Sequence, residues 1–357
     1  MGKAHAVAMS AVGAVFETNL RPRLVKVCAT SPESAERYRA AFGFEGATDD
    51  WRDLVADPAV EAVIIASPQS THRAIAEAAF ARGLPVFCEK PLGASLADSK
   101  AMVAAAEAAG AVNMTGFNYV RTPATQEARR LIAEGAIGDV TWFRGEHTED
   151  FFSDPDAPAN WRTRDRASGA MGDLAPHMIN CALALMGPIA ALSAVIETVH
   201  DTRPGPDGPE QVANDDHAQM MVRFACGAMG HLYFSRTATG RKMGYAYEVH
   251  GTKGSIRFDQ EDQNSLHVYL REGPEAGRGF TRILTGPAHP DYAAFCQGAG
   301  HGTGYLDQII IEARDFLRAI ETGKNMFPTF RDGMEVNRVV DTAWASSASR
   351  SWVSIEG

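Results

Sequence analysis

Between residues 60 and 116 short apolar runs alternate with alanine-rich stretches that end at glycines, and this alternation constrains the fold more than any other feature. Val60–Ala66 (VEAVIIA) reads as a mostly apolar strand, and Thr71–Arg82 as a helix stopping at Gly83. Pro85–Cys88 is the next strand, Ser95–Ala109 a helix ending at Gly110, and Val112–Gly116 a further strand. Upstream, Leu24–Ala29 reads as a strand. Ser31 then caps a helix with Pro32 at its first position, which stops near Gly43. Trp51–Ala56 suits a short helix. Strands alternating with helices predict a parallel, doubly wound sheet over residues 1–120.

After Pro123 the pattern changes. Thr125–Glu134 reads as a helix, Val140–Glu146 as a strand, Asp154–Arg166 as a long polar loop and Gly172–Leu185 as a helix. Strand-like segments follow at Ala191–Val199, His217–Phe224, Met229–Phe234, Tyr245–His250, Ser255–Phe258 and Leu266–Leu270, broken by turns such as Gly251-Thr252-Lys253-Gly254. Helices are expected at Gln308–Thr322 and Gly333–Ser349, and His200–Gln211 reads as an inserted loop. The expectation is a second α/β domain over residues 121–357, with a mostly antiparallel open sheet covered by helices on one face.

Composition excludes several classes. Net charge is −10, with no dense Lys/Arg block, so a nucleic-acid partner is not expected. No apolar run reaches the ~20 residues of a membrane-crossing helix, and the N-terminus lacks a signal-peptide layout. Cys28, Cys88, Cys181, Cys226 and Cys296 are widely spaced, which argues for reduced thiols in a cytoplasmic protein rather than disulfides or zinc. The histidines show no helical ligand pair, and no metal is expected.

A doubly wound nucleotide domain opens with a strand, a glycine-rich turn and a helix. Here Met1-Gly2-Lys3-Ala4-His5-Ala6 already reads as the helix, and Gly2 stands where the last glycine of that fingerprint would be. The expectation is a start assigned to an internal methionine, with roughly ten to fifteen residues upstream, the length of a strand plus turn. The alternative is a true truncation with a weakened cofactor site.

Two segments carry chemistry. Pro85–Gly93 (PVFCEKPLG) puts Lys90 where a parallel strand ends, the edge at which open α/β sheets bind ligands. Pro91 suits a tight turn there, with a cis peptide allowed. Gly172–Asn180 (GDLAPHMIN) puts Asp173 and His177 four residues apart, on one face of a helix. Together they supply a cation, a base and a carboxylate to orient the base, the set that removes a proton from an alcohol as its hydride leaves. Ser67-Pro68 ends the apolar strand at the same edge and can meet a cofactor. Asn118, Tyr119 and Arg121 follow another strand end, Trp161-Arg162 sits in the long loop within reach of cofactor or substrate, and Glu149 and Asp150 form an acidic stretch suited to hydroxyl-rich ligands. Asn180, one turn beyond His177, either binds a substrate hydroxyl or bonds within its helix. Gly298–Gly304 (GAGHGTG) lacks the lysine of a phosphate loop and reads as a flexible loop.

These segments resemble the Gfo/Idh/MocA oxidoreductases. The resemblance runs through MGKAHA, VIIASPQSTH (Val63–His72), CEKPLG (Cys88–Gly93), GFNYVRTPA (Gly116–Ala124), NWR (Asn160–Arg162), GDLAPHMIN and YEVHGTKGSIRFD (Tyr247–Asp259). Within the family, SDPDAPANWR, RGFTRILTGPAHP and GHGTGY look most like inositol-type and anhydrosugar dehydrogenases. The resemblance implies a Rossmann domain, an NAD or NADP cofactor, a cyclitol or sugar substrate, and a homodimer or homotetramer assembled through the C-terminal sheet. It implies Lys90 stabilising the developing alkoxide, His177 as general base with Asp173 as its partner, Glu89 near the nicotinamide riboside, and His72 beside the cofactor.

Cofactor choice is open at this stage. An NAD-preferring domain places an acid at the end of its second strand, whereas this chain has Ala29-Thr30-Ser31 and no acid until Glu33. Ser31 and Arg37 can accommodate a ribose phosphate, so NADP is allowed and slightly favoured. The leading function is NAD(P)-linked oxidation of a secondary hydroxyl on a polyhydroxylated ring. The alternatives are a catalytically silent sugar or cofactor sensor of the same fold, and a relative that uses transient oxidation for elimination or hydrolysis.

Overall fold

The computed structural model describes residues 1–355. Contacts divide the chain into two units, Met1–Arg121 with Gly304–Glu335, and Thr122–Thr303 with the segment from Val336 onward. The sequence reading divides it once, near residue 120, whereas the contacts also return Gly304–Glu335 to the first unit.

The first unit opens with α1 (Gly2–Val15), β1 (Lys26–Cys28), α2 (Pro32–Phe42), β2 (Gly46–Thr48) and α3 (Trp51–Ala56). It continues through β3 (Val63–Ile65), α4 (Gln69–Ala81), β4 (Val86–Glu89), α5 (Leu96–Ala109) and β5 (Asn113–Gly116). Strands β3, β4 and β5 pair in parallel in that order, and β1 pairs with β2 as a separate parallel sheet. Val63, Ile65, Val86 and Cys88 are buried against Ile75, Ala76 and Phe80 of α4 and Met102, Val103 and Ala106 of α5. All four residues of β4 are buried, as expected of a parallel strand with both faces covered. Lys90 follows at the carboxyl end of β4, and the Lys90–Pro91 peptide is cis.

The second unit runs through α6 (Pro123–Ala133), β6 (Val140–Thr148), α7 (Ala175–Met186), β7 (Ile189–Glu197), β8 (Thr202–Gly205), β9 (Gly208–Gln211), β10 (His217–Phe224) and β11 (Met229–Ser235). Then come β12 (Gly244–Gly251), β13 (Gly254–Asp259), β14 (Ser265–Leu270), β15 (Thr281–Leu284) and α8 (Tyr292–Phe295). The chain returns to the first unit in α9 (Tyr305–Thr322), whose Phe316 meets Phe87 of β4 edge-on with ring centroids 5.8 Å apart. Helix α10 (Phe330–Ser349) and β16 (Val353–Ser354) finish the described chain.

A nine-stranded sheet dominates the second unit, in the order β15-β14-β13-β12-β6-β11-β10-β7-β16. Every neighbouring pair is antiparallel except β6 with β11. Buried and exposed residues alternate along β10, the pattern of a sheet with one covered face. Helix α7 lies on β6, and the approach depends on Gly145: a Cβ there would come within 2.6 Å of Met178 Sδ and 2.9 Å of Leu232 Cδ2. The segment read as an inserted loop at His200–Gln211 contains the hairpin β8–β9, because Pro204 and Pro209 face each other across the turn Gly205–Gly208. Outside that hairpin, β2, β15, β16 and the one-turn α8 are absent from the sequence reading; each spans at most four residues, so no apolar run or period marks them.

Filling the contact at Gly145 must lift α7 from the sheet. Gly145→Val is expected to lower unfolding free energy by about 2 kcal/mol, within the range for overpacking a close contact. A urea midpoint equal to that of the parent chain would contradict this account of the packing.

Candidate active site

In the first unit the candidate residues gather at the carboxyl ends of β3, β4 and β5. Lys90 is half-buried, while Glu89 beside it is buried and directed to α1, with its Oε1 2.6 Å from His5 Nε2. Burial works to raise the Glu89 carboxyl, but the contact with His5 and the charge of Lys90 outweigh it and hold it below the usual range. Glu312 of α9 behaves in the opposite way. Burial first, then the neighbouring Glu89 carboxylate, pushes its carboxyl well above the usual range. Nothing in the sequence marks Glu312, which sits within an amphipathic helix pattern.

His72 is buried and faces main-chain carbonyls on both sides: Nε2 lies 3.0 Å from Ser67 O, and Nδ1 lies 3.2 Å from Pro91 O and 3.1 Å from Leu92 O. The ring therefore ties the turn after β3 to the turn carrying Lys90. Ser67 is exposed, with Oγ 2.6 Å from Thr71 Oγ1, and the exposed Pro68 precedes α4. Asn118 is buried and donates to Gln308 Oε1 at 2.9 Å, and Tyr119 is half-buried in the following turn. Arg121 is committed internally, forming an ion pair with Asp315 at 2.7 Å and donating to Phe327 O. Ser31 caps α2 by accepting from the Ser34 N–H, and the exposed Arg37 lies over the Tyr38 ring.

This edge fits a dinucleotide cofactor. The first turns of α1 and α4 receive no side-chain cap and contain no acidic residue, and a Cβ at Gly2 would meet open space. Uncapped N–H groups at helix N-termini beside parallel strand ends are the donors that hold phosphate and ribose oxygens.

In the second unit the candidate residues lie on β6, on the loop after it, and at the start of α7. The expected helix does not begin as a regular α-helix. Ala170–Leu174 forms a π-helical turn that runs directly into α7. Asp173 therefore belongs to the π turn and His177 to the first α turn, so their four-residue spacing crosses a change of helix type; π turns of this kind often mark functional sites. Asp173 is half-exposed, His177 is buried, and Asn180 is buried with Oδ1 lacking a hydrogen-bond partner among the described residues.

His147, unremarked in the sequence, stands beside His177 with ring centroids 5.7 Å apart. Its Nδ1 lies 2.9 Å from Leu174 O and its Nε2 3.1 Å from Glu149 Oε1. A carbonyl and a carboxylate are both acceptors, so both ring nitrogens can donate only in the imidazolium form. Glu149 is thus engaged by His147, and Asp150 by Lys242 Nζ at 2.6 Å, whose hydrogen bond holds the Asp150 carboxyl below its usual range. Trp161 and Arg162 are exposed, with the guanidinium stacked 4.4 Å above the indole.

Residues 1–117 match the family model described as "Oxidoreductase family, NAD-binding Rossmann fold", and residues 125–257 match "GFO/IDH/MocA C-terminal domain". The chain belongs to the Gfo/Idh/MocA oxidoreductase family. It is 39% identical to levoglucosan dehydrogenase of Pseudarthrobacter phenanthrenivorans, across 99% of this chain and 95% of that protein. Inositol 2-dehydrogenase of Rhizobium meliloti is 28% identical, across 99% of this chain and 96% of the relative. Among solved structures, levoglucosan dehydrogenase in complex with NADH and L-sorbose superimposes with a TM-score of 0.97 at 39% identity, covering 100% of this chain and 96% of that one. The chain is thus an oxidoreductase with an NAD-binding Rossmann domain; Ser31 accepts the cap bond from the Ser34 N–H through its oxygen, which leaves the hydroxyl proton to donate.

One further group stands out electrostatically. Asp215, just before β10, is 1% exposed, and its Oδ1 has no hydrogen-bond partner among the described residues. Burial pushes its carboxyl from 3.8 up to about 6, with Asp216 adding to the rise and the Met171 N–H and Arg236 opposing it. The fold therefore prefers the neutral form. The resulting stabilisation is fully present below about pH 4 and is lost as pH rises through about 6. The change from 3.8 to about 6 corresponds to about 3 kcal/mol. The stability of the parent chain relative to Asp215→Asn is expected to fall between pH 4 and pH 7. Urea midpoints of both proteins at the two pH values test this, and a constant difference would refute it.

Proposed function

We propose that the protein oxidises a secondary hydroxyl of a pyranose-like ring, an anhydrosugar of the levoglucosan type being the first candidate, with NAD as oxidant. The reading is carried by one observation: a chain 39% identical along its length to a levoglucosan dehydrogenase has a lysine, Lys90, at the end of β4 and a histidine, His177, in the first turn of α7. Bound NAD supplies the hydride acceptor.

The remaining chemistry belongs to the protein. The Lys90 ammonium donates a hydrogen bond to the reacting hydroxyl and stabilises the charge that grows on its oxygen. His177 accepts the hydroxyl proton, and Asp173 orients the ring and favours its protonated form. Asn180, with an acceptor atom left over, and Tyr119 are assigned to substrate hydroxyls. Gly2, Ser67, Pro68 and Asn118, with Trp161 and Arg162 from the long loop, are assigned to the cofactor. Glu89, His72, Arg121 and Glu149, each with at least one polar atom facing a partner within the protein, are assigned to hold these groups.

We further propose that copies assemble as a dimer or tetramer through the uncovered face of the nine-stranded sheet, where Val195, Met221 and Met229 are exposed. A cytoplasmic setting is proposed from the five free cysteines. No helix of the described residues is long and apolar enough to cross a membrane.

A panel of levoglucosan, glucose and myo-inositol with NAD+ and NADP+, followed by absorbance of the reduced nicotinamide, tests the activity. Turnover of levoglucosan with NAD+ is expected, and NADH binding without turnover of any ring would favour the silent sensor instead. Lys90→Ala and His177→Ala are each expected to lower kcat by about 10²–10⁴-fold, while NADH affinity by fluorescence titration changes little. Parent-level turnover in His177→Ala would remove His177 as the base.

A further inference from the structure

The π turn that carries Asp173 begins without a cap of its own, since Gly169 before it has no side chain to supply one. Its first N–H groups are bonded from elsewhere in the second unit. The Ala170 N–H donates to the Asp215 carbonyl at 3.1 Å, and the Met171 N–H donates to Asp215 Oδ2 at 2.8 Å. Asp215 thus caps, from the start of β10, a continuous helix running from Ala170 through Met186. The fit is tight, for a Cβ on Gly169 would lie 2.0 Å from Asp215 Oδ1.

The residues on either side of Asp215 hold the loop that leads into this turn. Asn214 Nδ2 donates to Arg162 O at 2.7 Å and to Asp165 O at 2.8 Å. Arg236 donates to Asp216 Oδ1 at 2.7 Å, to Asn214 Oδ1 at 2.6 Å, and to the carbonyls of Arg162 and Ser168 at 2.9 and 3.2 Å. Arg236 and Asp216 are buried, so this bracket is shielded from water. The loop is therefore fixed up to Ser168, and Asp215 fixes the two residues after Gly169.

We propose that Asp215 is a positioning residue for the reaction, its carboxylate and carbonyl setting the first turn of the helix that presents Asp173 and His177. The inference rests on the reading of those two residues as the reacting groups. A negative charge at a helix N-terminus is favourable, and an N–H bonded to a carboxylate is held more strongly than one bonded to a neutral oxygen. Yet the carboxyl is buried with one oxygen unpartnered, and burial raises it to about 6. A fold that keeps an unfavourable charge at such a place, one turn from a base, gives it work to do there.

Asp215→Asn and Asp215→Ala in the full chain test this. Asparagine leaves an acceptor for the Met171 N–H but removes the charge, and alanine removes both. The expected result is a loss of kcat on levoglucosan of about tenfold for asparagine and about a hundredfold for alanine, with KM and NADH affinity within about threefold of the parent, the range of a charged hydrogen bond lost. The primary isotope effect with ring-deuterated levoglucosan should rise, because a misplaced base slows the chemical step itself. Amide hydrogen exchange in residues 170–174 should quicken in both variants, a measurement that needs no turnover and serves if alanine folds poorly or levoglucosan is not turned over. Unchanged exchange in these residues would overturn the proposal. So would a kcat loss that matches the loss of folded protein while the isotope effect stays at the parent value. Normal turnover in His177→Ala would instead sink the assignment of the base, leaving the exchange result to judge Asp215 alone.

Discussion

Much of the second unit hangs on how a long irregular segment satisfies its backbone. Residues 149–169 contain only short turns, so few of their carbonyls find partners in a ladder or helix. Buried backbone groups must be bonded somewhere, and three side chains do most of it. Arg203 donates to Phe152 O at 2.7 Å and Asp154 O at 2.8 Å, while Arg236 and Asn214 hold Arg162, Asp165 and Ser168. Arg203 and Arg236 also both lie 4.7 Å from the Phe152 ring centroid, one aromatic ring serving two cations. Removing one partner from a buried pair such as Arg236–Asp216 typically costs about 3–5 kcal/mol, because the other charge is left stranded. Trp161-Arg162 and the turn bearing Asp173 inherit their positions from this bracket.

The first unit solves a similar problem with one imidazole and one carboxylate. His72 is wedged between the turns after β3 and β4, with each ring nitrogen facing a main-chain carbonyl, so the segment bearing Lys90 is packed against the neighbouring strand end. Glu89 reaches the other way, to His5 of α1. Lys90 is left half-buried between two anchored neighbours, a setting that restricts its long side chain without removing it from solvent. The residues named from the strand ends thus include some, such as Glu89 and His72, whose polar atoms face partners within the protein.

The sequence carried the parallel half of the fold because its signals are local. Glycines at helix ends and short apolar runs mark β3, β4, β5 and their helices within about three residues. Lys90, Asp173 and His177 were legible for the same reason, since each sits in a short motif whose chemistry does not depend on distant partners. The hairpin β8–β9 was not legible: a Pro/Gly/Asp stretch reads as loop, and only pairing across the turn makes it a strand pair. The π turn was equally hidden, because its first two N–H groups are bonded by Asp215, 44 residues beyond Met171 in the chain.

Local propensity and periodicity therefore determined the alternating sheet, and short motifs carried the family and the side chains proposed to react, all of which depend on residues near one another in sequence. Tertiary structure alone decided which polar side chains are spoken for, as with Glu89, Arg121 and Glu149, and it alone revealed His147, Glu312 and Asp215. A hydrogen bond between residues tens of positions apart leaves no periodic trace in either partner. Whether a carboxylate is a ligand, a brace or a buried acid depends on what burial and its neighbours do to its charge, and those exist only once the chain has folded.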